Sequence, residues 1–214
     1  MIEAVVFDLD GVLLDSEQIW DEVREQLARE RDGRWHDGAQ RAMMGMSSTE
    51  WSQYMHDEIG LPEPPEEISA EVVRRLEARY RQHLPLLDGA VEAVDSLAAR
   101  WPLGIASSSN REVIDLVLDL SGLAPLFKVT VSSEEVARGK PAPDVYLEAA
   151  RRLGVAPERS AAIEDSENGI RAAKAAGMRV VAIPNPHFPP DQEALEQADV
   201  TLRSLAELSP ATVA

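Results

Sequence analysis

The sequence predicts an α/β protein: a mostly parallel sheet with helices on both faces, interrupted early by an all-helical segment. Three observations lead there. The chain opens on an apolar run, Ala4 to Phe7, which reads as a fully buried parallel strand. From Leu86 onward, short apolar runs alternate with helical patterns, as βαβ units require. Between Ser16 and Leu84 nothing reads as a strand.

Taken in order, the first strand runs into Asp8-Leu9-Asp10-Gly11, and the pattern becomes helical after Asp15. Ile19, Trp20, Val23 and Leu27 recur at helical spacing, with Ser16 or Asp15 placed to cap the start. Short helices are expected over 40–46 and 51–59, and Ser47 to Glu50 has capping-box spacing. Three prolines and a glycine over 60–65 predict a break, and a further helix is expected from about Ala70 to His83. Beyond Leu86 come a helix over 91–99 and a strand over 103–106. Ser109 and Glu112, again at capping-box spacing, open a helix to about Leu120. Strands follow over 127–131, 160–163 and 179–183, with helices over 143–153 and 169–176, the last stopped by Gly177. The proline-rich 184–190 is a loop, and a short strand at 200–202 and a helix over 205–208 close the chain. The expected domains are therefore 1–15 with 86–214, and 16–85.

Composition bounds the function. Hydrophobic residues make up 44% of the 214, enough for a sizeable core. A net charge of −17 argues against nucleic acid or an anionic membrane as partner. Any anion site must then be built locally. There is no cysteine, so disulfides and thiol catalysis are excluded. The first strand begins at the second residue and no apolar run reaches spanning length, so a cytoplasmic location is expected.

The chemistry gathers where strands end. Asp8 and Asp10, two residues apart, could face one site, where a cation such as Mg²⁺ would relieve their repulsion. Asp-x-Asp-Gly is equally compatible with a plain turn. Ser107 follows a strand and precedes a helix start, which suits an anion or a simple cap. Lys140 is held between Gly139 and Pro141 on a stiff loop, and the chain has only Lys128 and Lys174 besides. Glu164 and Asp165 could complete an oxygen cage with Asp8, or cap the next helix.

In this order, Asp8-Leu9-Asp10-Gly11-Val12-Leu13-Leu14-Asp15, Ser107, Lys140-Pro141 and Glu164-Asp165-Ser166 resemble the haloacid dehalogenase superfamily. The motif forms are similar to its β-phosphoglucomutase-like phosphatase branch, and the resemblance covers essentially the whole chain. It implies a three-layer Rossmann-like core with the helical segment as an inserted cap. It further implies Asp8 as nucleophile, Asp10 as general acid and base, and Ser107, Ser108 and Lys140 as phosphate ligands. Mg²⁺ would be held by Asp8, Asp165 and the Asp10 carbonyl, with Glu164 assisting. The implied function is a Mg²⁺-dependent phosphatase acting through an aspartyl-phosphate, working as a monomer on a small phosphorylated metabolite, most simply a phosphosugar.

For the cap the resemblance offers less. Mutase members carry a histidine in the first cap helix and an arginine just after a glycine in the second cap segment. Here Trp20 and Ser48, after Gly45, stand at those positions. Losing the arginine favours a hydrolase over the mutase alternative. Trp20, Gly45, Ser48 and Asn110, with Arg41, are the candidate substrate contacts. Trp20, Trp35 and Trp51 are equally suited to form the cap's own core. The pairs Glu66-Glu67 and Glu134-Glu135 read as solvated charge. A non-catalytic binding protein on the same fold remains the reading from another class.

Overall fold

The computed structural model describes residues 1–214. Six parallel strands form one sheet in the order β3-β2-β1-β4-β5-β6. They are β1 (Ala4–Phe7), β2 (Leu103–Ser107), β3 (Phe127–Ser132), β4 (Ser160–Glu164), β5 (Arg179–Ala182) and β6 (Val200–Thr201). β1 is central, pairing with β2 through Val5–Leu103 and with β4 through Ala4–Ser160. Its side chains alternate: Val5 and Phe7 join one buried layer, and Val6 joins the other. The chain winds outward from β1 to β3 in one direction and from β4 to β6 in the other. That reversal opens a crevice at the carboxyl ends of β1 and β4, the usual ligand position in such sheets.

Four helices, α1 (Glu17–Glu30), α2 (Ala39–Met43), α3 (Ser48–Asp57) and α4 (Pro65–Gln82), lie between β1 and the helix α5 (Ala90–Ala98). They bury Trp20, Leu27, Trp51, Met55, Ile68 and Leu76 in the hydrophobic cluster that also takes in α5 and α6 (Arg111–Ser121). The opposite face of the sheet is covered by α7 (Asp144–Leu153) and α8 (Glu167–Ala175). Two short helices, α9 (Gln192–Leu195) and α10 (Pro210–Val213), complete the chain. No helix is long and apolar enough to cross a membrane.

Several local expectations need correction. The helix expected from Ala70 begins at Pro65, because proline at the first helical position forfeits no hydrogen bond. Ser16 precedes α1 without capping it, and α6 opens after Asn110 with no side-chain cap. Both Ser16 and Ser109 turn their hydroxyls to Asp10 instead. Glu134 and Glu135 are not merely solvated charge. Glu134 accepts from Ser48 and Asn110 side chains and from the Arg111 N–H, while Glu135 pairs with Arg111 and Arg152. The C-terminal helix over 205–208 is only a single 3₁₀ turn, Leu205–Glu207. The Ser47 capping box forms as its spacing predicts.

Candidate active site

β1 ends at Phe7, and the Asp8 N–H still bonds the Ile163 carbonyl, at 3.0 Å, so Asp8 leaves the sheet in register. Gly11 then turns the chain with φ +77°, and a Cβ there would lie 1.9 Å from Asp165 Oδ2. Glycine is therefore required for Asp165 to approach Asp8 and Asp10 from β4. The same demand recurs at Gly169, where a Cβ would strike the Glu164 carboxylate.

Lys140 organises the floor of the site. Its ammonium lies 2.9 Å from Asp8 Oδ1 and 2.6 Å from Glu164 Oε1, with only 2% of the side chain exposed. Tyr146 donates to Glu164 Oε1 at 2.5 Å, and the Asp165 N–H and Ser166 hydroxyl donate to Oε2. Burial opposes the lysine's charge, but Asp8 and Glu164 hold it above its ordinary value. Burial likewise pushes the Asp8 carboxyl up to about 8, against the pull of Lys140. Asp165 is raised well above the usual range by burial and by Glu164 and Asp8.

These carboxylates suit a hard cation. Ligand oxygens of Asp8, Glu164 and Asp165 lie within 4.8 Å of one another, all buried. Three buried acids face one lysine, and Asp8 Oδ1 has no well-aligned hydrogen bond. An oxygen-preferring divalent cation fits that donor set and its charge excess. Glu164 differs from the other two in that both its oxygens already accept hydrogen bonds from the chain.

Asp10 sits beside this cluster, and three donors fix its carboxyl. Ser16 Oγ and Trp20 Nε1 donate to Oδ1 at 2.5 and 3.0 Å, and Ser109 Oγ donates to Oδ2 at 2.5 Å. Two of these donors lie on the helical segment and one on the sheet's carboxyl edge.

A cavity of about 690 Å³ connects the two halves, lined by Asp8, Asp10, Lys140 and Asp165 on one side and Trp20, Arg24 and Trp51 on the other. Ser108, Gly45 and Arg41 also reach it. Four other candidates do not, and the first is Glu164, which is held behind the cavity by Lys140 and Tyr146. Ser107 is fully buried, its hydroxyl taken by the Ser109 N–H. Ser48 donates to Glu134, and Asn110 to Glu134 and Ser69, where sheet and helical segment meet outside the cavity. The Ser48 hydroxyl and the Asn110 N–H groups are spent there, while Asn110 Oδ1 has no partner.

Sequence reasoning missed Arg24, Ser109 and Tyr146 as parts of the site. A signal existed for Arg24 alone: it falls four residues after Trp20 and three before Leu27, on the apolar stripe of α1. Its guanidinium carbon lies 4.7 Å from the ring centroids of both Trp20 and Trp51. Burial pulls it down to about 10, still charged at neutral pH.

Comparison with known proteins agrees with this geometry. A family model for haloacid dehalogenase-like hydrolases matches residues 2–177. The chain belongs to that family. A probable pseudouridine-5'-phosphatase from Drosophila melanogaster is 34% identical over 212 residues, covering 96% of this chain and 90% of that protein. Hexitol phosphatase B from Escherichia coli (strain K12) is 32% identical over 225 residues, covering 97% and 95%. The crystal structure of CbbY from Rhodobacter sphaeroides in complex with phosphate superposes with a TM-score of 0.87 at 28% identity, covering 100% of this chain and 99% of that one. Within the haloacid dehalogenase-like hydrolases, the chain falls in the phosphoglucomutase-like branch and is a phosphoric monoester hydrolase.

Proposed function

We propose that this hydrolase is a Mg²⁺-dependent phosphatase that releases inorganic phosphate from a small phosphosugar through an aspartyl-phosphate on Asp8. The observation that carries the reading is the buried cluster of Asp8, Lys140, Glu164 and Asp165 opening onto a cavity shared with Asp10. The names of the hexitol and pseudouridine phosphatases support a sugar-bearing ester. The phosphate-bound neighbour supports the phosphate end.

In the first step an Asp8 oxygen attacks phosphorus and the bond to the sugar oxygen breaks. Asp10, held by Ser16, Trp20 and Ser109, gives its proton to that leaving oxygen. In the second step water attacks the phosphorus, Asp10 takes a proton from it, and phosphate leaves with Asp8 regenerated. Lys140 and the Ser108 N–H hold the non-bridging oxygens. Asp8, Asp165 and the Asp10 carbonyl, with Glu164, would hold Mg²⁺. When bound, the ion neutralises charge so that an anionic nucleophile can approach an anionic ester. Residues 16–85 act as the cap over a core of 1–15 and 86–214. Asp15 and Leu87 are hydrogen-bonded to Pro85 and Leu13, which ties the two connections together. The mutase alternative asks for a second-phosphate clamp at Ser48, whose hydroxyl is turned away to Glu134.

Phosphate release from a panel of phosphosugars, with Mg²⁺ and with chelator, tests this. Release should require Mg²⁺ and fall by at least about 10³-fold in Asp8→Asn. Release that persists in Asp8→Asn would remove the covalent step, and isomer interconversion without release would establish the mutase.

A further inference from the structure

The cap side of the cavity holds a buried cation that Glu17, Asp10 and Asp21 attract but that no acceptor of the chain contacts. Glu17, Trp20 and Arg24 are spaced three and four residues apart on α1 and all line the cavity. Arg24 is only 7% exposed, and its Nε is buried without a hydrogen-bond partner. Neither Trp20 nor Trp51, whose rings flank it, offers an acceptor. Most arginines of this acidic chain, among them Arg29, Arg75, Arg111 and Arg152, lie within ion-pair distance of a carboxylate. Arg24 makes no such pair, although it cannot shed its charge.

Its position relative to the chemistry is set by one ring. The Trp20 indole donates to Asp10 and carries the Arg24 guanidinium on its face. A substrate whose phosphorus meets Asp8, and whose leaving oxygen meets Asp10, therefore has its far end beside Arg24. Arg41 lines the same cavity and offers a second cation on that wall, alongside the acids Glu17 and Asp37.

We propose that Arg24 is a specificity-determining residue that takes an oxyanion at the far end of the substrate, so that the preferred phosphosugar carries a second acidic group, a carboxylate or another phosphate. The inference rests on the phosphatase reading and narrows it. A planar guanidinium fork matches either oxyanion in bidentate fashion. The two indoles fix the plane of that fork before binding, so little ordering remains. Neutral hydroxyls could accept from the N–H groups but would leave the buried charge without an ionic contact.

The experiment compares kcat/KM for three matched esters: a neutral sugar phosphate, a sugar-acid phosphate and a sugar bisphosphate. The wild type should favour one of the acidic esters, and which one tells carboxylate from phosphate. In Arg24→Met the acidic-to-neutral ratio should fall by about tenfold to a hundredfold, mainly through KM, with partial recovery in Arg24→Lys. A wild-type ratio near one, or equal losses on neutral and acidic esters, would overturn the proposal. Circular dichroism checks folding, and Arg24→Gln, which keeps donors but not charge, replaces Arg24→Met should that variant not fold. If no ester is hydrolysed, the phosphatase reading fails and calorimetric binding of the same three compounds decides. Acid-selective binding lost in Arg24→Gln upholds the role of Arg24, and binding unaffected by the change refutes it.

Discussion

The two walls of the cavity handle charge in opposite ways. On the sheet side, Lys140 is clasped by Asp8 and Glu164, and Glu164 in turn takes Tyr146, the Asp165 N–H and Ser166. On the helical side, Arg24 lies between two indoles with no acceptor, and Glu17 is raised to about 7 by burial and by Asp10. The first wall is a hydrogen-bonded network that fixes its geometry before anything binds and keeps an excess of negative charge for a cation. The second leaves its charges for a ligand to satisfy. The difference separates a wall suited to fixed chemistry from one suited to choosing a substrate.

The strongest way to break the comparison is Lys140→Met. If the sheet-side network turns on Lys140, removing that cation leaves Asp8 and Glu164 buried together without compensation. Activity should fall by about 10²–10³-fold, and stability by about 3–5 kcal/mol. Thermal unfolding without metal would register that as a drop on the order of 10 °C. The double variant Lys140→Met with Glu164→Gln should recover much of the stability and none of the activity. Equal stability in the single and double variants would show that Lys140 and Glu164 are not coupled.

The two walls also differed in how far they could be read from sequence. Asp8, Lys140 and Asp165 each fall within a few residues of a strand end, and local pattern places strand ends well. Parallel pairing of β1 with β2 and β4 then brings them together. The helical side is assembled by contacts distant in sequence. Trp20 and Arg24 of α1 meet Trp51 of α3 there, and Trp20 reaches back to Asp10. Capping-box spacing at Ser109 and Glu112 was a sound local signal that tertiary context overrode: the helix opens one residue later, after Asn110, and the Ser109 hydroxyl donates to Asp10. Ser107 is buried with its oxygen accepting from the Ser109 N–H, a contact that the strand-end pattern does not show.

Trp20 sits where the walls meet, and Trp20→Phe would sharpen the division. The substitution removes the N–H that orients Asp10 while keeping a ring against Trp51, whose centroid is 6.0 Å away. A charge-assisted hydrogen bond of this kind is worth about 1.5–3 kcal/mol, so kcat should fall by roughly tenfold or somewhat more. The decrease should appear in kcat, because the lost contact is to Asp10, the proposed acid and base, and not to the sugar. A change confined to KM would instead make Trp20 part of the substrate-choosing wall.

The smallest effect is expected at Glu17, and its sign is the test. Burial is the main cause of its raised carboxyl, with the nearby Asp10 adding to it. Between about pH 4.5 and 7 the native protein then binds more protons at this site than the unfolded chain, so the contribution of Glu17 to stability falls as pH rises. Glu17→Gln removes that dependence. Relative to wild type, the variant should gain on the order of 1 kcal/mol between pH 5 and pH 8, after discounting for partial exposure. Urea unfolding of both proteins at the two pH values would measure it. A gap independent of pH would mean that Glu17 already has a partner, with Arg24 the nearest candidate on its face of α1. The helical wall would then need no ligand to answer Arg24, and the contrast between the walls would disappear.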